Sequence, residues 1–382
     1  MGNGRSREKI DFNSEVNFTH FKLLRSVGKG AFGKVCIVLK RDTKQLYAMK
    51  YMNKDKCIQE KAVKNVLNER KILELLHHPL LVNIWFSFQD EEDMFMVVDL
   101  MLGGDLRYHL QNNGPLSETR VRLYMAELSN ALCYIHSKGV LHRDIKPDNI
   151  LMDAEGHVAL ADFNVATFIP TNGRLVSRAG TRPYMSPEMV KKEGYDTGTD
   201  WWSLGVTMYE FITNESPFRG QTSEEAMDLI CNKQLVYPKF TDPNIKDFLK
   251  GLLNRNPAMR LGSPGRLNDL KEHPFLTATG VLFDDFSQKT LNHEFIPDKH
   301  KINCDAMYEL EEMILEENPL HKKKQRLKKS KNSVVQSDEF NKPVPGSPAD
   351  QKLQLMTSYT VFNREKMNKL DSMQNLSTQD HE

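Results

Sequence analysis

The segment "HRDIKPDN", His142–Asn149, constrains this chain more than any other stretch. Within eight residues it holds a carboxylate at Asp144, an ammonium at Lys146 and an amide at Asn149. That spacing suits three steps of phosphoryl transfer: Asp144 orients an attacking hydroxyl and accepts its proton, Lys146 neutralises charge growing on a γ-phosphate, and Asn149 holds a metal ion. Chance agreement over so long a string is remote. Asp162, thirteen residues after Asn149, adds a second hard-oxygen ligand suited to Mg2+ bridging phosphates.

Upstream, "GKGAFGKV" sets Gly28, Gly30 and Gly33 in a G-x-G-x-x-G-x-V pattern, where missing Cβ atoms let backbone amides approach phosphate. Taken alone the pattern also fits a glycine-rich hairpin. A dinucleotide-binding loop would open a helix, whereas "VCIVLK" continues as a β-branched run and favours a strand, loop, strand flap. One strand later "YAMK" presents Lys50, and "LNERKILELLHHP" presents Glu69 on a helix. An ionic Lys50–Glu69 contact would aim the ammonium at the α- and β-phosphates. Singly, each residue reads as a surface charge; their order behind the flap gives them weight.

The chain has 382 residues, enough for two lobes around a cleft and a tail. Apolar content of 39% and a formal charge of +1 argue against nucleic acid as a partner. Cys36, Cys57, Cys133, Cys231 and Cys304 lie far apart with no metal-ligand spacing, which reads as reduced thiols. No run of about 18 apolar residues or signal-peptide core is visible, so a cytoplasmic location is expected, with the nucleus left open. Short β-like runs with one helical pattern occupy residues 21–101, and helical periodicity dominates 102–286. In "SETRVRLYMAELSNALCYIHSKG" Val121, Leu123, Tyr124, Leu128, Ala131, Leu132 and Ile135 can line one face. An acidic helix and a basic run follow over 287–330, and the polar stretch 331–382 reads as disordered.

These motifs resemble eukaryotic serine/threonine protein kinases of the AGC class, over roughly Phe21 to Phe286. Lysine two residues after Asp144 is the serine/threonine pattern. "AGTRPYMSPE" resembles the end of an activation loop, with Ser186 where alanine is usual in A-P-E. The stretch "EEDMFMVVDLMLGGDLRYHL" together with "ADFNVAT" is similar to the YANK subfamily, which also carries Asn in place of the Gly of D-F-G. The resemblance implies an α+β, bilobal fold and transfer from ATP with Mg2+, Mn2+ being an alternative, to protein Ser or Thr hydroxyls, by a monomer. It implies nucleotide contacts along the flap from Val27, Gly28, Lys29, Gly30, Ala31, Phe32, Gly33 and Lys34 to Val35. Ala48 and Leu151 would sandwich adenine with Val35, Val98 would back the pocket, Asp99 and Met101 would bond the base through their backbone, and Asp105 would reach the ribose. Glu188 would pair with Arg260, and Asp200 would brace the catalytic loop. No F-x-x-F hydrophobic motif is obvious in the tail.

Asn164 raises the alternative of a nucleotide-binding pseudokinase scaffold. Glycine is favoured there for a hinge visiting positive φ, and Asn tolerates that region well. Lys50, Glu69, Asp144, Lys146, Asn149 and Asp162 are all present, which favours an enzyme. Ser177 falls where similar kinases accept a phosphate, which could pair with Arg143 and order the loop, while Thr181 is expected to bond Asp144 or Lys146. Asp105, Asp148 and Glu210 match positions that read arginines upstream of the acceptor. Arg174, Arg178, Arg182, Lys191 and Lys192 point the other way, so the preference stays open with a lean towards acidic substrates. "MGNGRS" fits an N-myristoylation signal on Gly2. A single acyl chain binds reversibly, and seven Lys or Arg residues between Lys322 and Lys331 could add attraction to an inner membrane surface; a solvated tail or a nuclear import signal are the alternatives.

Overall fold

The computed structural model of the chain describes residues 10–29, 33–171, 174–240, 242–280, 283, 289, 291, 293, 295–298 and 344–379. Gly2, Gly30, Ala31, Phe32, the acidic helix and the basic run all lie outside the described residues. One compact unit takes in residues 10–64, 85–98 and 344–379; the other takes in 65–84 and the described part of 99–298.

The first unit is a twisted antiparallel sheet. Strands β1 (Phe21–Lys29), β2 (Gly33–Lys40) and β3 (Leu46–Asn53) form a meander; helix α1 (Lys54–Gln59) follows, then α2 (Val63–Leu75), most of which belongs to the second unit; β4 (Ile84–Gln89) and β5 (Asp93–Val98) complete the order β1-β2-β3-β5-β4. Alternation decides what each face does, because directly opposed residues share a face. Val35 opposes Lys50, Ile37 opposes Ala48, and Ala48 opposes Val98, so Val35, Ala48, Lys50 and Val98 stand on one face. The other face holds the aromatic core of Phe21, Tyr47, Met49, Phe86, Phe88, Phe95 and Val97, with Phe88 and Phe95 stacked at 4.9 Å. Each such burial is worth about 1.5–3 kcal/mol. At Gly33 a Cβ would lie 1.8 Å from the Tyr51 carbonyl oxygen, so the last glycine of the flap is required by the neighbouring strand.

The second unit is mainly helical. Its ordered elements are β6 (Gly104–Asp105), α3 (Leu106–Asn113), α4 (Glu118–Ser137), β7 (Val140–Leu141), β8 (Ile150–Met152), β9 (Val158–Leu160) and β10 (Thr167–Phe168), then α5 (Pro187–Lys191), α6 (Gly198–Thr213), α7 (Ser223–Asn232), α8 (Pro243–Leu252), α9 (Leu267–Lys271) and α10 (Pro274–Thr277). Ser117 starts α4 by accepting from the Arg120 N–H. The helix is buried all round from Tyr124 to Ile135, broader than the single stripe its spacing suggests, with Leu123 only half-buried. Ladders β6-β8-β9 and β7-β10 pin the loops on either side of Asn149 and Asp162.

The carboxy-terminal stretch departs from the sequence expectation. Residues 331–382 read as disordered by composition, yet α11 (Pro348–Ser358), β11 (Phe362–Asn363) and α12 (Arg364–Gln379) are folded. Strand β11 pairs antiparallel with β4, Phe362 opposite Ser87, and makes the sheet six-stranded. Tyr359 is fully buried and donates to the Phe95 carbonyl oxygen at 3.1 Å. Gln89 donates to the carbonyl oxygens of Met356 and Tyr359, both at 2.7 Å. The start of α11 carries a legible signal: Ser347 accepts from the Asp350 N–H and Pro348 takes the first helical position.

Candidate active site

The catalytic loop hangs from one buried carboxylate. Asp200, on α6 and fully buried, accepts from the His142 and Arg143 N–H groups at 2.9 and 2.8 Å and from His136 Nε2 at 2.8 Å. Burial works against its charge, and the His136 contact and the backbone donors outweigh it, holding the pKa below the usual carboxylate range. His142, also buried, is pushed towards its neutral form by burial; its Nε2 meets the Ala161 carbonyl oxygen and its Nδ1 accepts from the Asp144 N–H. Arg143 sits at φ +68°, an uncommon conformation that turns the chain so that Asp144 faces the segment after Gly180. Gly180 has φ +84°, and a Cβ there would lie 2.0 Å from the Arg143 carbonyl oxygen.

Asp144 is held on every side. Its Oδ1 accepts from the Thr181 N–H at 2.8 Å; its Oδ2 accepts from Lys146 Nζ at 2.9 Å and from Asn149 Nδ2 at 3.0 Å. Lys146 also donates to Thr181 Oγ1 at 2.7 Å. Burial opposes ionisation of Asp144, and the bonds from Thr181 and Lys146 overcome it, so the carboxylate stays ionised. The Asn149 amide nitrogen donates to both the backbone carbonyl oxygen and Oδ2 of Asp144, so Oδ1 is the atom of this side chain that could hold a cation.

Asp162 adopts φ +62°, while Asn164 does not have positive φ. In this conformation the left-handed residue is the aspartate, not the position where glycine is usual. Asn164 donates through Nδ2 to Asp162 Oδ2 at 3.3 Å, and Phe163 is buried against the His142 ring at 4.8 Å. Asn68 of α2 donates to the Ala166 carbonyl oxygen at 2.7 Å, which secures the same turn.

Farther along the segment, Glu188 and Arg260 form a buried bidentate pair at 2.6 and 2.9 Å. Ser186, wholly buried, shares a 2.7 Å hydrogen bond with Thr199, which gives the hydroxyl at this position a partner. Ser177 is exposed, and its carbonyl oxygen accepts from the Tyr195 hydroxyl, to which Arg143 Nη1 also donates. The Arg143 guanidinium otherwise bonds the Val165 carbonyl oxygen.

Lys50 stands on β3 of the first unit; Glu69, 3% exposed, belongs to α2 and the second. In the second unit Leu151 opposes Asp105 across β6 and β8, and the backbone of Asp99 is tied to Asn83, whose side chain also bonds the Asp99 carboxylate. Asp105 caps α3 by accepting from the Tyr108 N–H at 2.8 Å, and burial raises its pKa. Met101 follows at the approach to β6. Motif reading named Asp148 and Glu210 but not Arg107, which lies among them and Tyr184; its place two residues after Asp105 was the only signal.

An ionised, hydrogen-bonded aspartate beside a lysine, with two hard-oxygen donors following in sequence, defines a phosphotransferase centre on a two-unit α+β scaffold. The protein kinase domain pattern matches residues 21–276, and the chain belongs to the protein kinase family. It is similar to Serine/threonine-protein kinase 32B of Homo sapiens, 46% identical over 377 residues that cover 96% of this chain and 89% of that protein. Serine/threonine-protein kinase 32C of Homo sapiens is 46% identical over 94% of the chain and 75% of its own length. More distant, the RAC family serine/threonine-protein kinase homolog of Dictyostelium discoideum is 38% identical over 78% of the chain and 66% of its own. The chain is a serine/threonine protein kinase of the AGC class within the YANK subfamily, and uses ATP with a divalent metal. Nothing in these likenesses favours a pseudokinase scaffold.

Proposed function

We propose that the metal is Mg2+, held by the Asn149 carbonyl oxygen and Asp162, and that Asp144 and Lys146 carry the chemistry of γ-phosphate transfer. The observation that carries this reading is the threefold anchoring of the Asp144 carboxylate by Lys146, Asn149 and Thr181. With its pKa held low, Asp144 orients the substrate hydroxyl and receives the proton late, rather than acting as a strong base. Lys146, fixed between Asp144 and Thr181, faces the charge that develops on the transferred group. Bound magnesium supplies charge neutralisation at the phosphate oxygens. Lys50 is assigned to the nucleotide phosphates, and Leu151, in the second unit, to the base. The test is transfer to a Ser/Thr peptide: Asp144→Asn should abolish it while leaving Mg-ATP binding, and retained transfer would refute the assignment.

Phosphorylation of Ser177 is proposed to raise activity through Arg143 and Tyr195, whose hydroxyl already links the two. Full activity of Ser177→Ala in the same assay would remove that switch. Gly2 is proposed to carry a myristoyl chain that gives reversible membrane binding, supported by the opening residues "MGNGRS". Gly2→Ala should shift the protein from membrane to soluble fractions.

A further inference from the structure

Basic, acidic and aromatic side chains converge beside the catalytic loop. Glu210, on α6, is 5% exposed, and Tyr184, three residues past Thr181, is 6% exposed. Asp148 lies four residues past Asp144 and is half in solvent. Two carboxylates so placed next to the acceptor site would form an electronegative hollow able to receive a substrate cation. In this chain the hollow is already filled. Arg107 Nη1 donates to Glu210 Oε1 at 2.6 Å and Nη2 to Oε2 at 3.2 Å, a fork-on-fork pair. Nε and Nη2 reach Asp148 Oδ2 at 3.2 Å, and Nη2 reaches the Tyr184 hydroxyl at 2.7 Å. The Tyr184 hydroxyl in turn donates to Glu210 Oε2 at 2.5 Å.

We propose that Arg107 is a built-in occupant of this acidic subsite and sets substrate selectivity, so that the kinase does not select peptides carrying an arginine there. The proposal rests on the kinase reading above. Two negative charges are reduced to one, and the buried one, Glu210, has both oxygens engaged. A substrate guanidinium would have to displace a chelating partner held by the fold, with no loss of rotational freedom left for that partner to repay. Burial disfavours the Arg107 charge, and the Glu210 bond together with Tyr184 and Asp148 reverses this, leaving it firmly protonated. The carboxylates of this cluster are thus engaged within the fold, while Arg174 of the activation segment and Lys191 and Lys192 at the end of α5 are exposed, and Arg182 bonds Ser223.

The experiment scans one arginine through each position on both sides of the acceptor serine in an alanine-flanked peptide, with full-length wild type, Arg107→Met and Arg107→Met with Glu210→Gln. Methionine keeps the stem of the side chain and removes the guanidinium. The expected result is a flat wild-type scan, a gain of about tenfold in kcat/KM for arginine at one position in Arg107→Met, and loss of that gain in the double variant. Wild-type selection of arginine by tenfold overturns the proposal and needs no variant. A flat scan in active Arg107→Met also overturns it. Absence of transfer to the parent peptide by wild type would instead refute the kinase reading beneath it.

Discussion

At Asp162 the backbone sits at φ +62° and at Arg143 at φ +68°, a conformation that costs non-glycine residues about 1–3 kcal/mol each. Both are held by neighbours: Arg143 by the Asp200 carboxylate, Asp162 by the bond from Asn164. Asn164 itself is unstrained, so its Cβ costs nothing in this conformation. Asn164→Gly should therefore leave kcat/KM within about threefold while lowering stability by about 0.5–1 kcal/mol through the freer unfolded chain. Denaturant melts beside peptide kinetics check this, and a tenfold rise in rate would show that the asparagine had been limiting a hinge motion. The grouping of Asp144, Lys146 and Asn149 was legible as sequence because their spacing is local. The strain at 162 was not, since the two residues' φ angles follow from packing around His142 and Phe163.

Among elements, the tail is the one that composition misread. A Lys-, Gln- and Ser-rich segment has too few apolar residues to build its own core. It does not need one: Tyr359 and Phe362 enter a core already formed by β4 and β5, and β11 covers a sheet edge that would otherwise expose unpaired backbone groups. The Tyr-x-x-Phe spacing and the Ser347 cap were both visible, but only the sheet edge gives them meaning. Tyr359→Ala removes a fully buried ring and its hydrogen bond to the Phe95 carbonyl oxygen. Such a change costs about 3–5 kcal/mol where the site cannot collapse, more than a short docked segment can spare. Limited proteolysis should then cut within 344–379 in the variant and spare wild type, and equal protection would show that the tail is held by other contacts.

For the molecule as a whole, pH reaches the fold through a buried cluster on the helical unit. His157 Nδ1 and His293 Nε2 both address Glu127 Oε1, at 2.6 and 3.0 Å, with the Val158 N–H on Oε2. Burial resists the Glu127 charge but the two imidazoles hold its pKa down, and the same contact raises His157 against its own burial. The raised His157 contributes stability that is full below its ordinary pKa of about 6.5 and is lost as pH climbs through the folded value. The lowered Glu127 contributes above about 4.5 and loses that share only in acid. Thermal melts should thus show a fall as pH rises above about 6.5 that His157→Gln reduces; an identical fall in that variant would assign it elsewhere. Sequence by itself determined the family and the catalytic string, because glycine flap, lysine and catalytic loop are each short-range signals in a required order. Tertiary structure alone decided which charges are spent. Arg107 meets Glu210 across 103 positions, Glu127 meets His293 across 166, and Tyr359 meets Phe95 across 264, and no spacing rule spans such separations. Their pairing is set by burial, where a charge or hydroxyl without a partner is too costly to leave alone.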